Sequence, residues 1–172
     1  MRILTYILFC MMVYSCKNII SEEMHNMQKQ KIDISVLRNE IDSINKENYK
    51  YILYYDSTDC SSCAIKELWR WDDIVEEFKQ YNVDFYAILS ASSTSKTDLK
   101  YLAKATRTKL KVIIDSCNVF ANNNPHLSDD RILHCFLLNK SDSIILFGNP
   151  LSNKMVNELL SDIVKHNDVT HN

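Results

Sequence analysis

Tyr51-Ile52-Leu53-Tyr54-Tyr55, then Asp56-Ser57-Thr58-Asp59, then Cys60-Ser61-Ser62-Cys63: this stretch decides the reading of the chain. A continuous apolar and aromatic run is what a central strand, covered on both faces, requires. The Asp, Ser and Thr residues that follow are turn formers and helix caps, so the strand stops there. From Cys63 to Tyr81 the apolar residues Ile65, Leu68, Trp69 or Trp71, Val75 and Phe78 recur at spacings of three and four, which predicts one amphipathic helix. The two cysteines therefore sit where a strand turns into a helix. The first helical turn offers unpaired backbone N–H groups and the positive end of the macrodipole. A thiolate at Cys60 is stabilised there, and its pKa is expected to fall below the free value of about 8.5. Cys63, one turn further on, can reach the Cys60 sulfur and complete an exchange.

Working outward, Val83 to Leu89 reads as the next strand, followed by the hydroxyl-rich loop Ser90 to Ser95. Asp98 to Thr106 reads as a shorter helix using Leu99, Leu102 and Ala103, and Lys111 to Asp115 as a third strand. Beyond an Asn-rich loop ending near Pro125, Ile132 to Leu138 and Ser143 to Phe147 read as two strands joined by the turn residues 139–142. Gly148-Asn149-Pro150 ends the second of them. Lys154 to His166 is a terminal helix, with Met155, Leu159 and Ile163 on one stripe beside Val156, Leu160 and Val164. Alternating elements predict an α/β fold with a mixed central sheet, helices on both faces, and a C-terminal hairpin plus helix. Trp69, Trp71, Tyr51, Tyr54 and Tyr55 are expected in or near the core.

The N-terminus carries a different message. Met1-Arg2 is followed by an apolar run from Ile3 to Val13 broken only by Thr5, which has the form of a secretory signal. Val13-Tyr14-Ser15-Cys16 resembles the lipobox of bacterial lipoproteins, and implies cleavage before Cys16 with a lipid on its thiol. Residues 1–15 are then a removed signal, and Cys10 leaves with them. Residues 16–47 are polar, rich in Lys, Glu, Asn and Gln, with sparse apolar positions at Ile32, Ile34, Val36, Leu37, Ile41 and Ile44. They are expected to form a lipidated tether and an N-terminal extension: Lys31 to Ile34 alternates like a short edge strand, and Val36 to Ile44 has roughly helical spacing. The implied compartment is extracytoplasmic, the periplasm or its equivalent, on a membrane held by lipid alone. A disulfide persists there.

Composition narrows the alternatives. The 172 residues carry 20 Lys and Arg against 22 Asp and Glu, a net charge of −2, which gives no basic surface for nucleic acid. Hydrophobic residues are 46% and charged residues 24%, values of a folded globular chain. No run of 18 apolar residues occurs, so no conventional spanning helix is expected. A single Gly leaves no phosphate-cradling loop or dinucleotide fingerprint, and no Ser-His-Asp arrangement stands out. No cofactor is implied. Six Cys in the chain are too few for a disulfide scaffold, so their positions matter more than their number.

Taken together, Tyr51 to Tyr55, Cys60-Ser61-Ser62-Cys63, the helix to Tyr81, Val112 to Asp115 and Phe136 to Asn139 resemble the thioredoxin-like superfamily. Within it they are most similar to the extracytoplasmic, membrane-anchored branch near the alkyl hydroperoxide reductase and thiol-specific antioxidant domains. The resemblance covers about residues 48 to 168. It implies thiol–disulfide exchange with protein thiols or disulfides as partners, Cys60 attacking and Cys63 resolving, with reduction of partner disulfides as the direction suggested by analogy. It also implies that Asp56 could accept the proton of the resolving thiol, and that the strand at Phe136 follows the family's cis-proline. Here no proline stands at Leu133 or His134, and Asp59 and Ser61-Ser62 replace the family's usual Trp and Gly-Pro. Asp59 places a negative charge that opposes the helix dipole.

Two other readings stay open. The pair can be a structural disulfide in a thioredoxin-like binding lipoprotein without catalysis. It can also join His134, and Cys135 beside it, as a copper or zinc site, since thiolate and imidazole suit both metals. His134 reads equally as a half-exposed strand residue, and Asp56 as a loop cap. Cys117 and Cys135 are buried thiols, a second disulfide, or in the case of Cys135 a third redox thiol.

Overall fold

The computed structural model describes residues 21–40, 44–91 and 96–168. The signal segment 1–15 and Cys16 lie outside the described residues. Residues 21–28 are helical (α1), followed by α2 (Ser35–Glu40), β1 (Tyr49–Tyr55) and α3 (Ser61–Glu67). A 3-10 turn (Leu68–Trp71) leads directly into α4 (Asp72–Lys79), and then come β2 (Val83–Ser90), α5 (Lys96–Thr106) and β3 (Lys111–Asp115). The chain closes with α6 (Val119–Asn123), a second 3-10 turn (Arg131–His134), β4 (Cys135–Leu138), β5 (Ile144–Phe147) and α7 (Lys154–Asp168).

The strands form one five-stranded sheet in the order β3-β2-β1-β4-β5. β1 lies at its centre, parallel to β2 (Tyr51 opposite Phe85) and antiparallel to β4 (Tyr51 opposite Leu137). The mixed sheet with helices on both faces is as expected. Because side chains alternate along a strand, β1 feeds two cores. Tyr49, Tyr51 and Leu53 point to the face covered by α3, α4, α5 and α7, where Ile65, Leu68, Trp71, Phe78, Leu99 and Leu160 pack. Tyr51 stacks on Phe85 with centroids 5.2 Å apart and meets Trp71 at 5.9 Å. Ile52 and Tyr54 point to the opposite face, closed by α1, α2, α6 and the connecting chain through Met27, Ile32, Ile34, Leu37, Phe120 and Leu133.

Several local expectations change. The helix anticipated from Cys63 to Tyr81 begins at Ser61 and is interrupted by the 3-10 turn Leu68–Trp71. That change of pitch turns Trp69 outward, 59% exposed, while Trp71 stays in the core at 4%, so Trp69 is not a packing residue. Residues 131–134 form a 3-10 turn rather than the start of a strand, because Asp130 caps it by accepting from the Ile132 N–H at 2.9 Å. The strand begins only at Cys135. Lys31 contributes a single antiparallel bridge to Ser143 in place of an edge strand, and of the helix expected from Val36 to Ile44 the described part is α2, Ser35–Glu40; Ile44 is not helical.

Two features pin the hairpin end. Lys50, only 1% exposed, forms an ion pair with Asp142 of the turn at 3.1 Å and donates to the Asn48 carbonyl at 3.3 Å, so its buried charge is paired. Gly148 has φ +115°, and a Cβ there would come within 2.8 Å of Val156, so the one glycine of the chain stands where a side chain cannot. Its carbonyl accepts the buried Tyr51 hydroxyl, and its N–H donates to the Cys135 carbonyl at 2.9 Å.

Candidate functional site

The site grows from the C-terminal end of β1. Tyr55 is the last strand residue, and the chain then folds over itself through side-chain caps. Asp56 accepts from both the Thr58 N–H and the Thr58 hydroxyl at 2.6 Å, while the Asp56 N–H donates to Asp59 Oδ2 at 3.0 Å. This closed loop delivers Cys60 to the N-cap position of α3 with an extended backbone, φ −77° and ψ 91°. Its carbonyl accepts from the Ala64 N–H at 2.9 Å, and its sulfur takes the place of the usual capping oxygen, accepting from the Cys63 N–H at 3.3 Å. Ser61 is buried and its hydroxyl donates to the Ser90 carbonyl at 3.3 Å, which ties the helix tip to the end of β2.

Cys60 and Cys63 are joined in a disulfide with Cα atoms 5.2 Å apart, and both residues are exposed. The corner is thus open to a partner, and the two sulfurs face each other. On reduction the same geometry leaves the Cys60 sulfur facing a backbone N–H at a helix start, the environment that favours thiolate over thiol. The Asp59 charge expected to oppose this is offset by Arg131, whose Nη1 lies 3.1 Å from Asp59 Oδ1, and whose Nη2 donates to the Thr58 hydroxyl at 2.8 Å. Sequence reasoning missed Arg131, which is 72 positions away and carries no motif.

The auxiliary residues divide. Burial pushes the Asp56 carboxyl up, but the hydrogen bonds from Thr58, with smaller contributions from His134 and Arg131, outweigh it and hold Asp56 below the usual carboxylate range. A carboxylate so held is a weak base, and among the described residues no hydrogen bond joins it to either cysteine; its place is that of a loop cap. His134 is not a half-exposed strand residue: it is 4% exposed, on the 3-10 turn, its ring 5.0 Å from that of Tyr54. Its Nε2 bonds the Ser128 carbonyl at 2.8 Å, and one ring nitrogen lies within 4.8 Å of carboxylate oxygens of Asp56 and Asp59. The ring therefore lies near carboxylates; of the thiols anticipated as its companions, Cys60 and Cys63 are bonded to each other and Cys135 is free. Cys135 is half-buried and not disulfide-bonded, and desolvation pushes its thiol up to about 12. Cys117 is exposed and also unpaired, so the second disulfide left open by the sequence does not form.

A candidate thiol:disulfide interchange protein DsbE of Chlorobium tepidum superposes on the chain with a TM-score of 0.51 at 11% identity, over 69% of this chain and 82% of that one. The chain has a thioredoxin-like fold. Further thioredoxin-like neighbours are a thiol:disulfide interchange protein of Bacteroides sp. (TM-score 0.47, 16% identity, 64% of this chain and 72% of that chain) and the Xanthomonas campestris bacterioferritin comigratory protein (TM-score 0.48, 9% identity, 70% and 80%). No family model and no curated protein matches the sequence. At these identities the likeness establishes the fold, and activity has to be argued from the corner itself.

Proposed function

We propose that this thioredoxin-like chain is an extracytoplasmic thiol–disulfide exchange protein, held to a membrane by lipid at Cys16, that reduces disulfides of partner proteins. The observation that carries the reading is the exposed Cys60–Cys63 disulfide at the start of α3, with the Cys60 sulfur accepting a backbone N–H. A bond spanning three sequence positions removes little chain entropy, about 2 kcal/mol at most, so it is a poor structural staple. An exposed and easily closed pair is better suited to cycling.

In the reducing direction the Cys60 thiolate attacks one sulfur of a partner disulfide, forming a mixed disulfide and releasing the other partner sulfur as a thiolate. Cys63, deprotonated, then attacks the Cys60 sulfur. The partner leaves as a dithiol after taking up two protons, and the chain is left with the Cys60–Cys63 disulfide. Two electrons have moved to the partner, and a dithiol donor outside the membrane must return them. Extracytoplasmic placement is supported by the N-terminal signal pattern and the lipobox-like Val13 to Cys16; no helix among the described residues is long and apolar enough to cross a membrane.

The test is insulin reduction with a dithiol donor, together with trapping. Cys60→Ser should reduce turnover to the uncatalysed background, and Cys63→Ser should accumulate mixed disulfides through Cys60 on non-reducing gels. Wild-type turnover indistinguishable from the Cys60→Ser variant, with nothing trapped, would leave a binding protein with a decorative disulfide.

A further inference from the structure

We propose that Asp56, Asp59 and His134 form a divalent-cation site of one imidazole and two carboxylates, beside the cysteine pair but independent of it. Ligand atoms of the three residues lie within 4.8 Å of one another, drawn from the loop after β1 and from the 3-10 turn before β4. Proximity of two carboxylates alone would mean little on a surface. What distinguishes this cluster is the histidine. His134 is 96% removed from solvent by its 4% exposure, and its Nδ1 has no hydrogen-bond partner. A bare ring nitrogen in such a place is costly unless something fills its lone pair.

The other nitrogen explains which lone pair is presented. Nε2 faces the Ser128 carbonyl at 2.8 Å, and a carbonyl only accepts, so Nε2 carries a proton; in the neutral ring, the form that binds a cation in place of the second proton, Nδ1 is then the acceptor. An imidazole whose far N–H is held by a backbone carbonyl is the arrangement that orients a metal-binding histidine and raises its basicity. Ser128 is itself fixed: its hydroxyl donates to Glu23 of α1 and accepts from the Asp130 N–H at 2.9 Å.

Charge and spacing agree. Of the two carboxylates, the guanidinium of Arg131 pairs with Asp59; its other bond is to the Thr58 hydroxyl, and its side chain is 60% exposed, so a cation can displace it from Asp59 at little cost. Oxygen and imidazole ligands bind zinc at about 2.1 Å, which sets ligand atoms about 3.4 Å apart in a tetrahedron, a contraction reachable by carboxylate rotation. Imidazole with carboxylates suits zinc or manganese, and three protein ligands leave a further position for water.

The experiment is calorimetric titration of Zn2+ into the full chain in its oxidised state, on a Cys10→Ser/Cys16→Ser/Cys117→Ser background, so that neither Cys117, the exposed free thiol among the described residues, nor the two N-terminal cysteines can serve as ligand. One equivalent should bind and should raise the melting temperature. Asp56→Asn and His134→Gln should each weaken binding by at least about tenfold. The Cys60→Ser/Cys63→Ser double variant should bind as the parent does. No saturable binding would overturn the site and assign Nδ1 to a trapped water, and binding that survives Asp56→Asn would place the ion elsewhere. Binding lost with the two cysteines would return the metal to the thiols. None of these outcomes depends on whether the chain reduces insulin.

Discussion

Cys60 and Cys135 are the same residue type in one small fold, and their surroundings make opposite chemistries. Cys60 stands exposed at a helix start, its sulfur facing the Cys63 N–H at 3.3 Å and within reach of a partner sulfur. Cys135 opens β4 under the sheet's own packing, where removal from water raises its thiol to about 12. The nucleophile is the thiolate, so reactivity in this chain is decided by place. The third cysteine environment, Cys117, is exposed just before α6, but that helix start is already satisfied: the Val119 and Phe120 N–H groups donate to the Asp115 carboxylate at 2.9 and 2.8 Å.

The largest expected effect is in alkylation of the reduced, native chain. With its thiol near 12, Cys135 holds only about one part in 10^5 as thiolate at pH 7, so iodoacetamide should label Cys60 while Cys135 stays untouched until the chain unfolds. Mass spectrometry of a time course reads both sites at once, and equal rates would dissolve the contrast.

The second effect is in stability against pH. Cys135 rises in the folded state from a reference of 9.0 to about 12. Above pH 9 the unfolded chain therefore releases this proton while the folded chain keeps it, so stability is complete below about pH 9 and falls as pH climbs toward 12. Tyr55, also raised to about 12 by burial, adds a loss of the same sign beginning near its own reference of 10.0. Denaturant midpoints from pH 8 to 11 should decline, and Cys135→Ala should flatten the part that starts near pH 9. A decline unchanged by that substitution would place the thiol in water after all.

The smallest effect concerns the other side of the comparison. Arg131→Ala removes the guanidinium that offsets Asp59 next to Cys60. Iodoacetamide reactivity of Cys60 at pH 7 should fall, by no more than about fivefold, because the pair is partly exposed and such pairs contribute at most about 1 kcal/mol. Asp59→Asn in the same background should restore it. A rise in Cys60 reactivity in Arg131→Ala would mean that Arg131 acts by blocking access.

Much of the site could be read in the chain, though unevenly. The aromatic run, the capping residues and the Cys-x-x-Cys spacing are local signals, and they placed β1, the turn and the cysteine pair at a helix start before any tertiary contact was considered. The helix starts at Ser61, two residues before the expected Cys63, because its cap is a sulfur, which ordinary capping preferences omit. Residues 27–37 carry a weaker local signal for a different reason. Their apolar positions are sparse, yet Met27, Ile32, Ile34 and Leu37 are all buried, since each needs only to fill one gap over a sheet face. The 3-10 turn at 131–134 looks like strand in the sequence because its apolar pair Ile132-Leu133 is too short to show a period, and only Asp130's cap distinguishes it.

By itself, then, the amino-acid order determined the five strands of the sheet to within a few residues, the helices after β1, β2 and β5, their α/β succession, and the place of two neighbouring sulfurs at a helix start, because periodicity and capping act between near neighbours. Tertiary structure alone decided that Arg131 offsets Asp59, that Cys135 is desolvated, and that a ring nitrogen of His134 lies near the carboxylates of Asp56 and Asp59. Those facts depend on distances between segments some 70 to 80 positions apart, which only the closing of the sheet, with β4 laid antiparallel against β1, brings within a few ångströms.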